Sequence, residues 1–141
     1  MIDNFIPENE YNNIIKKLPI FCIDFLIRCD ERYLLLKRVE EPMKGTYWVI
    51  GGRLRFKESI KDFSMRIQKK EIGRYFLNFK LIGFSNYIFD SKTESRAIHT
   101  PTLLYEIIVD EMFEPDLDQN HSDYYWSVDL PEFLKENTLI L

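Results

Sequence analysis

A domain of the α/β or α+β class, built on a mixed β-sheet, is predicted by three features of this sequence. Short apolar or alternating segments bounded by turn residues recur along the chain, two stretches carry the apolar period of helices, and no repeat, low-complexity tract or linker interrupts them. At 141 residues the chain is long enough for one core and short for two, since a chain of this size buries roughly 68–70% of its unfolded surface. A single domain spanning 1–141 is therefore expected.

The elements follow in order. Tyr11, Ile14, Ile15 and Leu18 fall at i, i+3, i+4, i+7, which predicts an amphipathic helix over 8–18, stopped by Pro19. Residues 20–28 alternate, with Phe21, Ile23, Phe25 and Ile27 on one face and Cys22, Asp24, Leu26 and Arg28 on the other, so a strand carries one carboxylate among its apolar neighbours. The turn Asp30-Glu31-Arg32 leads to a strand from Tyr33 to Val39, and Pro42 with Gly45 mark a loop. Tyr47 to Ile50 reads as a brief buried strand running into Gly51-Gly52. Ser59 followed by Asp62 is a helix start, and Gly73 is a left-handed stop. Strands at 79–90 and 102–109 flank the polar stretch Asp90 to Arg96. After the acidic loop Glu114 to Asp123 come a short strand, Tyr124 to Val128, and a terminal helix from about Pro131.

Charge and composition exclude several functions. With 19 basic and 23 acidic residues the net charge is −4, so no overall basic field draws the protein to nucleic acid or an anionic membrane; an anionic ligand must be met locally. The longest apolar run, Leu18 to Ile23, is broken by Pro19 and falls far short of the ~20 residues that span a bilayer. Asp3, Glu8 and Glu10 stand where a signal peptide needs a basic start and an apolar stretch, so a cytoplasmic location is expected. Cys22 and Cys29 lie in one strand at an odd separation, which points them to opposite faces and keeps them from pairing. No Cys-x-x-Cys supplies a thiolate metal or redox site.

The helix beginning at Ser59 carries the first chemical signal. At 100° per residue Ile60, Phe63 and Ile67 form one stripe, and Glu71 falls within about 20° of Ile60 on it. A carboxylate then faces the core in the last helical turn, where the macrodipole disfavours an anion by roughly 0.3–1 kcal/mol. Either a divalent metal compensates it, or the side chain snorkels outward to Lys70 or Arg74.

Gly52, Glu58 after five residues, Arg66 after seven more, then Glu71 and Gly73 match the frame of the Nudix box, G-x5-E-x7-R-E-U-x-E-E-x-G, in the expected order of strand, glycine turn, loop and helix. The chain thus resembles the Nudix hydrolases, which implies a Nudix fold with a mixed sheet sandwiched between helices. Two of the box's helix carboxylates are replaced by Ile67 and Lys70. One remaining carboxylate supports about one ion, with waters and phosphate oxygens completing an octahedron, where ordinary Nudix sites hold several.

Further positions resemble the GDP-mannose mannosyl hydrolase branch: Leu18-Pro19, Asp24-Phe25, Leu34 to Arg38, Gly45 to Trp48, Gly51-Gly52-Arg53, and Asn120 to Tyr124 with Trp126. That resemblance implies Mg²⁺-dependent hydrolysis, with Mn²⁺ able to substitute, of a GDP-sugar to GDP and free sugar by inverting water attack at the anomeric carbon. It implies His121 as general base, Glu71, the Gly51 carbonyl and Asn120 at the metal, and Arg38 and Arg53 on the diphosphate. It places Asp24 on nucleotide or sugar and Arg66 either on phosphate or orienting the helix, and it suggests a homodimer joined through the N-terminal helix. Asn120 stands where the family has glutamine, and Thr100 where it has tyrosine.

Other readings stay beside this one. His121 in a surface loop, and Arg38 and Arg53 as solvated charges, are the bland alternatives; His99 reads as structural. The run from Asp116 to Asn120 imitates half a calcium loop, but His121 and Ser127 replace its glycine and closing glutamate. Tyr47, Trp48, Tyr87 and Phe89 are candidates to stack on guanine, with core packing as the default. Pyrophosphohydrolysis at phosphorus, or a binding module without catalysis, are the competing functions.

Overall fold

The computed structural model describes residues 5–91 and 96–141. Helix α1 (Glu8–Ile15) precedes strands β1 (Cys22–Cys29), β2 (Arg32–Arg38), β3 (Tyr47–Trp48) and β4 (Ile50–Arg53). Helix α2 (Ile60–Ile72) is followed by the long strands β5 (Lys80–Ser91) and β6 (Arg96–Ile108), then β7 (His121–Ser127), α3 (Glu132–Glu136) and β8 (Thr138–Ile140). The connection at 92–95, inside the predicted polar stretch, lies outside the described residues, as does Asp3.

The eight described strands form one mixed sheet, six of them in the path β3-β2-β1-β6-β5-β8, with β4 paired to β1 and β7 to β2 off that path. Among the described residues only β1 and β6 run parallel, from Cys22↔Thr102 to Arg28↔Ile108. The sheet forks between β1 and β2. The end of β1 pairs with the start of β2 at Arg28↔Tyr33, but its beginning pairs with β4, Asp24 opposite Gly51. Likewise the far end of β2 pairs with β3, Leu36 opposite Trp48, while β7 runs along its other edge. The segment from Tyr47 to Arg53 is therefore wedged into the fork, beside Asp24 on one arm and Arg38 on the other.

Both faces of the sheet are covered. Odd positions of β1, Ile23, Phe25 and Ile27, pack against Phe63, Ile67 and Ile72 of α2; the even position Leu26 joins Leu35, Trp48, Tyr87 and Leu134 of α3 on the other side. The predicted mixed sheet between helices is the observed architecture. Cys22 and Cys29 are free and on opposite faces, as the odd spacing requires.

The differences from the sequence reading have local causes. Helix α1 ends at Ile15 because the Lys17 and Leu18 amides both turn back to the Ile14 carbonyl, which leaves Leu18 60% exposed. Strand β6 begins six residues earlier than predicted, running through Pro101. The proline is tolerated because β1 joins the other side only from Thr102 onward. Strand β7 starts at His121 instead of Tyr124, in register with Arg38. The chain after α3 returns as the three-residue strand β8, too short for an alternation pattern to mark.

Candidate active site

Helix α2 is set in place by its own ends. The Ser59 hydroxyl accepts the Asp62 amide hydrogen at 3.0 Å, and Gly73 ends the helix at φ +70°. With those ends fixed, Glu71 lies on the inward face at 6% exposure, so the predicted inward orientation is the one observed. Its Oε1 accepts the Gly51 N–H at 2.9 Å, which binds the end of the helix to the wedge in the sheet.

Gly51 is required by space. A Cβ there would stand 2.0 Å from Asp24 Oδ1, 2.6 Å from the Ile23 carbonyl and 2.8 Å from the Asp24 Cα, and the two backbone atoms cannot yield without disturbing the β1–β4 pairing. Gly51→Ala is expected to destabilise the protein by about 2 kcal/mol or more through this overpacking. Urea denaturation would check it, and a midpoint equal to wild type would contradict the assignment.

Two ligand-type side chains converge on Glu71. Donor atoms of Glu71, Asp118 and His121 lie within 4.8 Å of one another. His121 Nδ1 is 2.7 Å from Asp118 Oδ1, and its Nε2 is 3.9 Å from Glu71 Oε2. Asp118 Oδ2 is buried with no hydrogen-bond partner among the described residues. A buried carboxylate oxygen without a donor is a position for a water, a proton or a cation. Two hard carboxylates suit Mg²⁺ or Mn²⁺, so the residues present fit one divalent ion.

Electrostatics agree. Burial is the main cause that lifts the Glu71 pKa to about 7; the Gly51 amide opposes it, Asp118 adds to it, and Lys70 and Arg38 pull it back. Burial likewise raises Asp24 to about 7 against the Trp48 side chain and Arg38. Two buried carboxyls with raised pKa values bordering one cavity make that cavity the candidate site.

That cavity, about 410 Å³, opens at the fork of the sheet and is bordered by Asp24, Arg38, Gly51, Gly52, Glu71 and His121. Thr100 of β6 and Glu8, Tyr11 and Asn12 of α1 also border it. The Arg38 Nε donates to the Pro42 carbonyl at 2.8 Å.

The remaining candidates stand elsewhere. Arg53 holds its guanidinium 5.7 Å from the centre of the Tyr11 ring and does not border the cavity. Arg66 is committed to Glu58 by two contacts, at 2.7 and 2.9 Å, and to the Arg53 carbonyl at 3.2 Å. It thereby ties the loop after β4 to α2. Asn120 receives the Val39 amide on its carbonyl at 3.1 Å and does not border the cavity. His99 pairs with Asn86 at 2.6 Å, away from the cluster. Tyr47 is bound to Asp123 on the outside.

Asp118 is the residue the sequence reading passed over. Its signal was the i, i+3 spacing to His121, inside a loop whose acids resembled a failed calcium motif. The α1 side chains were missed as well, since a helical stripe identifies a buried face but not a cavity beside it.

No family model matches the sequence. A 68-residue segment is 32% identical to the low-salt glycan biosynthesis protein Agl8 of Haloferax volcanii, covering 48% of this chain and 44% of that protein, so the match spans less than half of either. Among solved structures, the MutT Nudix hydrolase of Burkholderia pseudomallei superposes with a TM-score of 0.67 at 23% identity, over 82% of this chain and 89% of that one. The MutT protein of Methanosarcina mazei Go1 gives 0.65 at 23% identity, over 85% and 91%. The Nudix domain of Shewanella oneidensis NrtR, solved with ADP ribose, gives 0.62 at 16% identity, over 86% and 82%. The mixed sheet, the wedge between β1 and β2, and the helix carrying Glu71 thus belong to a chain with the Nudix fold.

Proposed function

We propose that this protein hydrolyses a GDP-sugar to GDP and free sugar, with one Mg²⁺ or Mn²⁺ ion, by inverting attack of water at the anomeric carbon. The observation that carries the reading is His121, buried and held by Asp118, beside the single box carboxylate that survives on α2. A histidine fixed by a carboxylate and aimed into a cavity is suited to take a proton, and a helix with one metal ligand is poorly suited to several ions.

Glu71 and Asp118 would hold the ion, with the Gly51 carbonyl and Asn120 as further candidates; once bound, it supplies positive charge to the departing diphosphate. The chain's own groups do the rest. With Nδ1–H engaged by Asp118, His121 presents the lone pair of Nε2 to a water. The water oxygen bonds to the anomeric carbon as the carbon–oxygen bond to the β-phosphate breaks. The bond pair leaves with GDP, and the water proton passes to Nε2. Asp118 steadies the imidazolium. Arg38 forks onto the diphosphate. Asp24, near-neutral beside it, donates or accepts a hydrogen bond from the substrate. Arg53 reaches the diphosphate by leaving the Tyr11 ring, and Arg66 acts through the loop it anchors.

The glycan-biosynthesis name of the partial relative is in keeping with a nucleotide-sugar substrate. A second reading, pyrophosphohydrolysis at phosphorus, is favoured by the solved Nudix relatives, one of them a dihydroneopterin triphosphate pyrophosphohydrolase. Chromatography of a reaction with GDP-mannose and Mg²⁺ separates the two. GDP with mannose supports the proposal; GMP with mannose 1-phosphate favours the second reading; no turnover with GDP-mannose bound indicates a binding module.

No described helix is long and apolar enough to cross a membrane, and a cytoplasmic place of action accords with this reading. A homodimer through α1 and the exposed Leu18 is also proposed. Light scattering should then give twice the 17.0 kDa of one chain; a monomer would contradict it.

A further inference from the structure

Two neighbouring segments project from the sheet at the end where β1 and β6 begin. One is the chain entering β1, 16–21, and the other is the chain leaving β4, 54–57. They are joined by the bond from the Leu54 amide to the Phe21 carbonyl, next to the pair Cys22↔Arg53. Each carries the same chemistry. Lys16-Lys17-Leu18 sets an exposed leucine beside two exposed lysines; Arg55-Phe56-Lys57 sets a phenylalanine, 70% exposed, between two cations. Phe21, at the joint, is itself 41% exposed.

The second tip is held rigidly. The Glu58 amide donates to the Arg55 carbonyl at 3.0 Å, the Arg55 amide donates to Glu58 Oε1 at 3.1 Å, and Arg66 fixes the same carboxylate. Lys57 takes φ +64°, a left-handed conformation that residues other than glycine seldom adopt, and its ammonium lies 5.5 Å from the centre of the Phe56 ring. A turn fixed at both ends thus holds a phenyl ring in solvent, although burying it would be favourable. The cavity described above is not bordered by Leu18, Phe21 or Phe56.

Charge is sorted along the strands. At the opposite end Asp30 and Glu31 follow β1, and Asp110 and Glu111 follow β6, all of them exposed. Repulsion between those acids and a negative surface facing the basic tips is screened beyond roughly 8 Å at physiological ionic strength, so the near cations decide. Apolar side chains on two separate tips, each set among cations, are complementary to a plane of anionic headgroups over hydrocarbon.

We propose that this end of the molecule is a peripheral attachment surface for an anionic phospholipid bilayer, with Phe56 and Leu18 entering the headgroup layer and Lys16, Lys17, Arg55 and Lys57 meeting its negative charge. The proposal is independent of what the cavity hydrolyses. Leu18 also belongs to the contact proposed between copies, so the test is set on Phe56 and on the lysines.

Cosedimentation with vesicles of phosphatidylcholine alone, and with about 30% phosphatidylserine added, tests it. The wild-type protein is expected to bind the anionic vesicles at least about tenfold more tightly than the neutral ones, and to leave them in about 1 M salt. Phe56→Ala should weaken binding to the anionic vesicles about tenfold, and Phe56→Trp should retain it. Lys17→Glu with Lys57→Glu should weaken it about 10²-fold or more, since each basic residue at such a surface is worth about fivefold. These side chains are exposed, so thermal midpoints at the wild-type value will show that the variants are folded. A wild-type protein that stays in solution with both kinds of vesicle overturns the proposal and leaves the tips to an acidic protein partner. Variants that bind anionic vesicles as tightly as wild type overturn it too, and a Phe56→Ala protein that does so while losing light-scattering mass assigns the tip to a contact between copies.

Discussion

His121→Gln is expected to lower kcat for GDP-mannose hydrolysis by about 10²-fold or more while the Kd for GDP-mannose changes by less than about threefold. The expectation follows from where the ring sits. At 8% exposure, with Nδ1 held 2.7 Å from Asp118, the imidazole has one free nitrogen, and that nitrogen faces Glu71 across the cavity. Glutamine keeps a polar group of similar reach but has no basic nitrogen, so the loss falls on proton transfer and spares binding. Steady-state kinetics with equilibrium binding separate the two. If kcat stays at wild type, His121 is not the base; if kcat holds and Kd rises, it is a binding group.

Glu71→Gln is expected to abolish the response to Mg²⁺ and to make the metal-free protein more stable at pH 8. The sign follows from burial. Folded Glu71 has its pKa raised from an ordinary 4.5 to about 7, with burial the largest cause. Between those values the folded state binds more protons than the unfolded state, so stability falls as pH rises through that window and stays low above it. One pKa unit is worth 1.36 kcal/mol, so the penalty approaches about 3 kcal/mol at its upper bound. Asp24, raised from 3.8 to about 7 chiefly by burial, acts in the same direction. A glutamine in place of Glu71 would bring no charge to bury, and its side-chain oxygen would still accept the Gly51 amide. Thermal unfolding without metal at pH 8 should therefore rise by several degrees in the variant. Mg²⁺ should raise the wild-type midpoint more at pH 8 than at pH 5.5, where the carboxylate must first lose its proton, and should leave the variant unmoved. A variant whose midpoint and Mg²⁺ response match wild type would remove Glu71 from the metal site.

Much of this arrangement was legible in the sequence, and unevenly so. Helix α2 was fully marked because Ser59, the apolar stripe and Gly73 are local signals, and the stripe already carried Glu71 inward. Asp24 was visible as a carboxylate among apolar alternation, whereas Gly51-Gly52 read as a turn and lie instead inside β4; their pairing with β1 is long-range, and only the fold shows that a Cβ at 51 would strike Asp24. Side-chain commitments were not legible. Arg66 and Arg53 are as basic as Arg38, yet Glu58 occupies one and Tyr11 faces the other. Asp118 was hidden because an acidic loop carries no periodicity, and its role depends on β7 beginning at His121.

At the centre of the proposed chemistry, water attacks carbon and not phosphorus. Release of GDP alone does not establish this, since attack at the β-phosphorus also yields GDP. Hydrolysis of GDP-mannose in ¹⁸O-water with Mg²⁺, followed by mass spectrometry of both products, decides the point directly. Attack at carbon predicts the label in mannose and none in GDP. Label in the β-phosphate of GDP, or in GMP or mannose 1-phosphate, would contradict it.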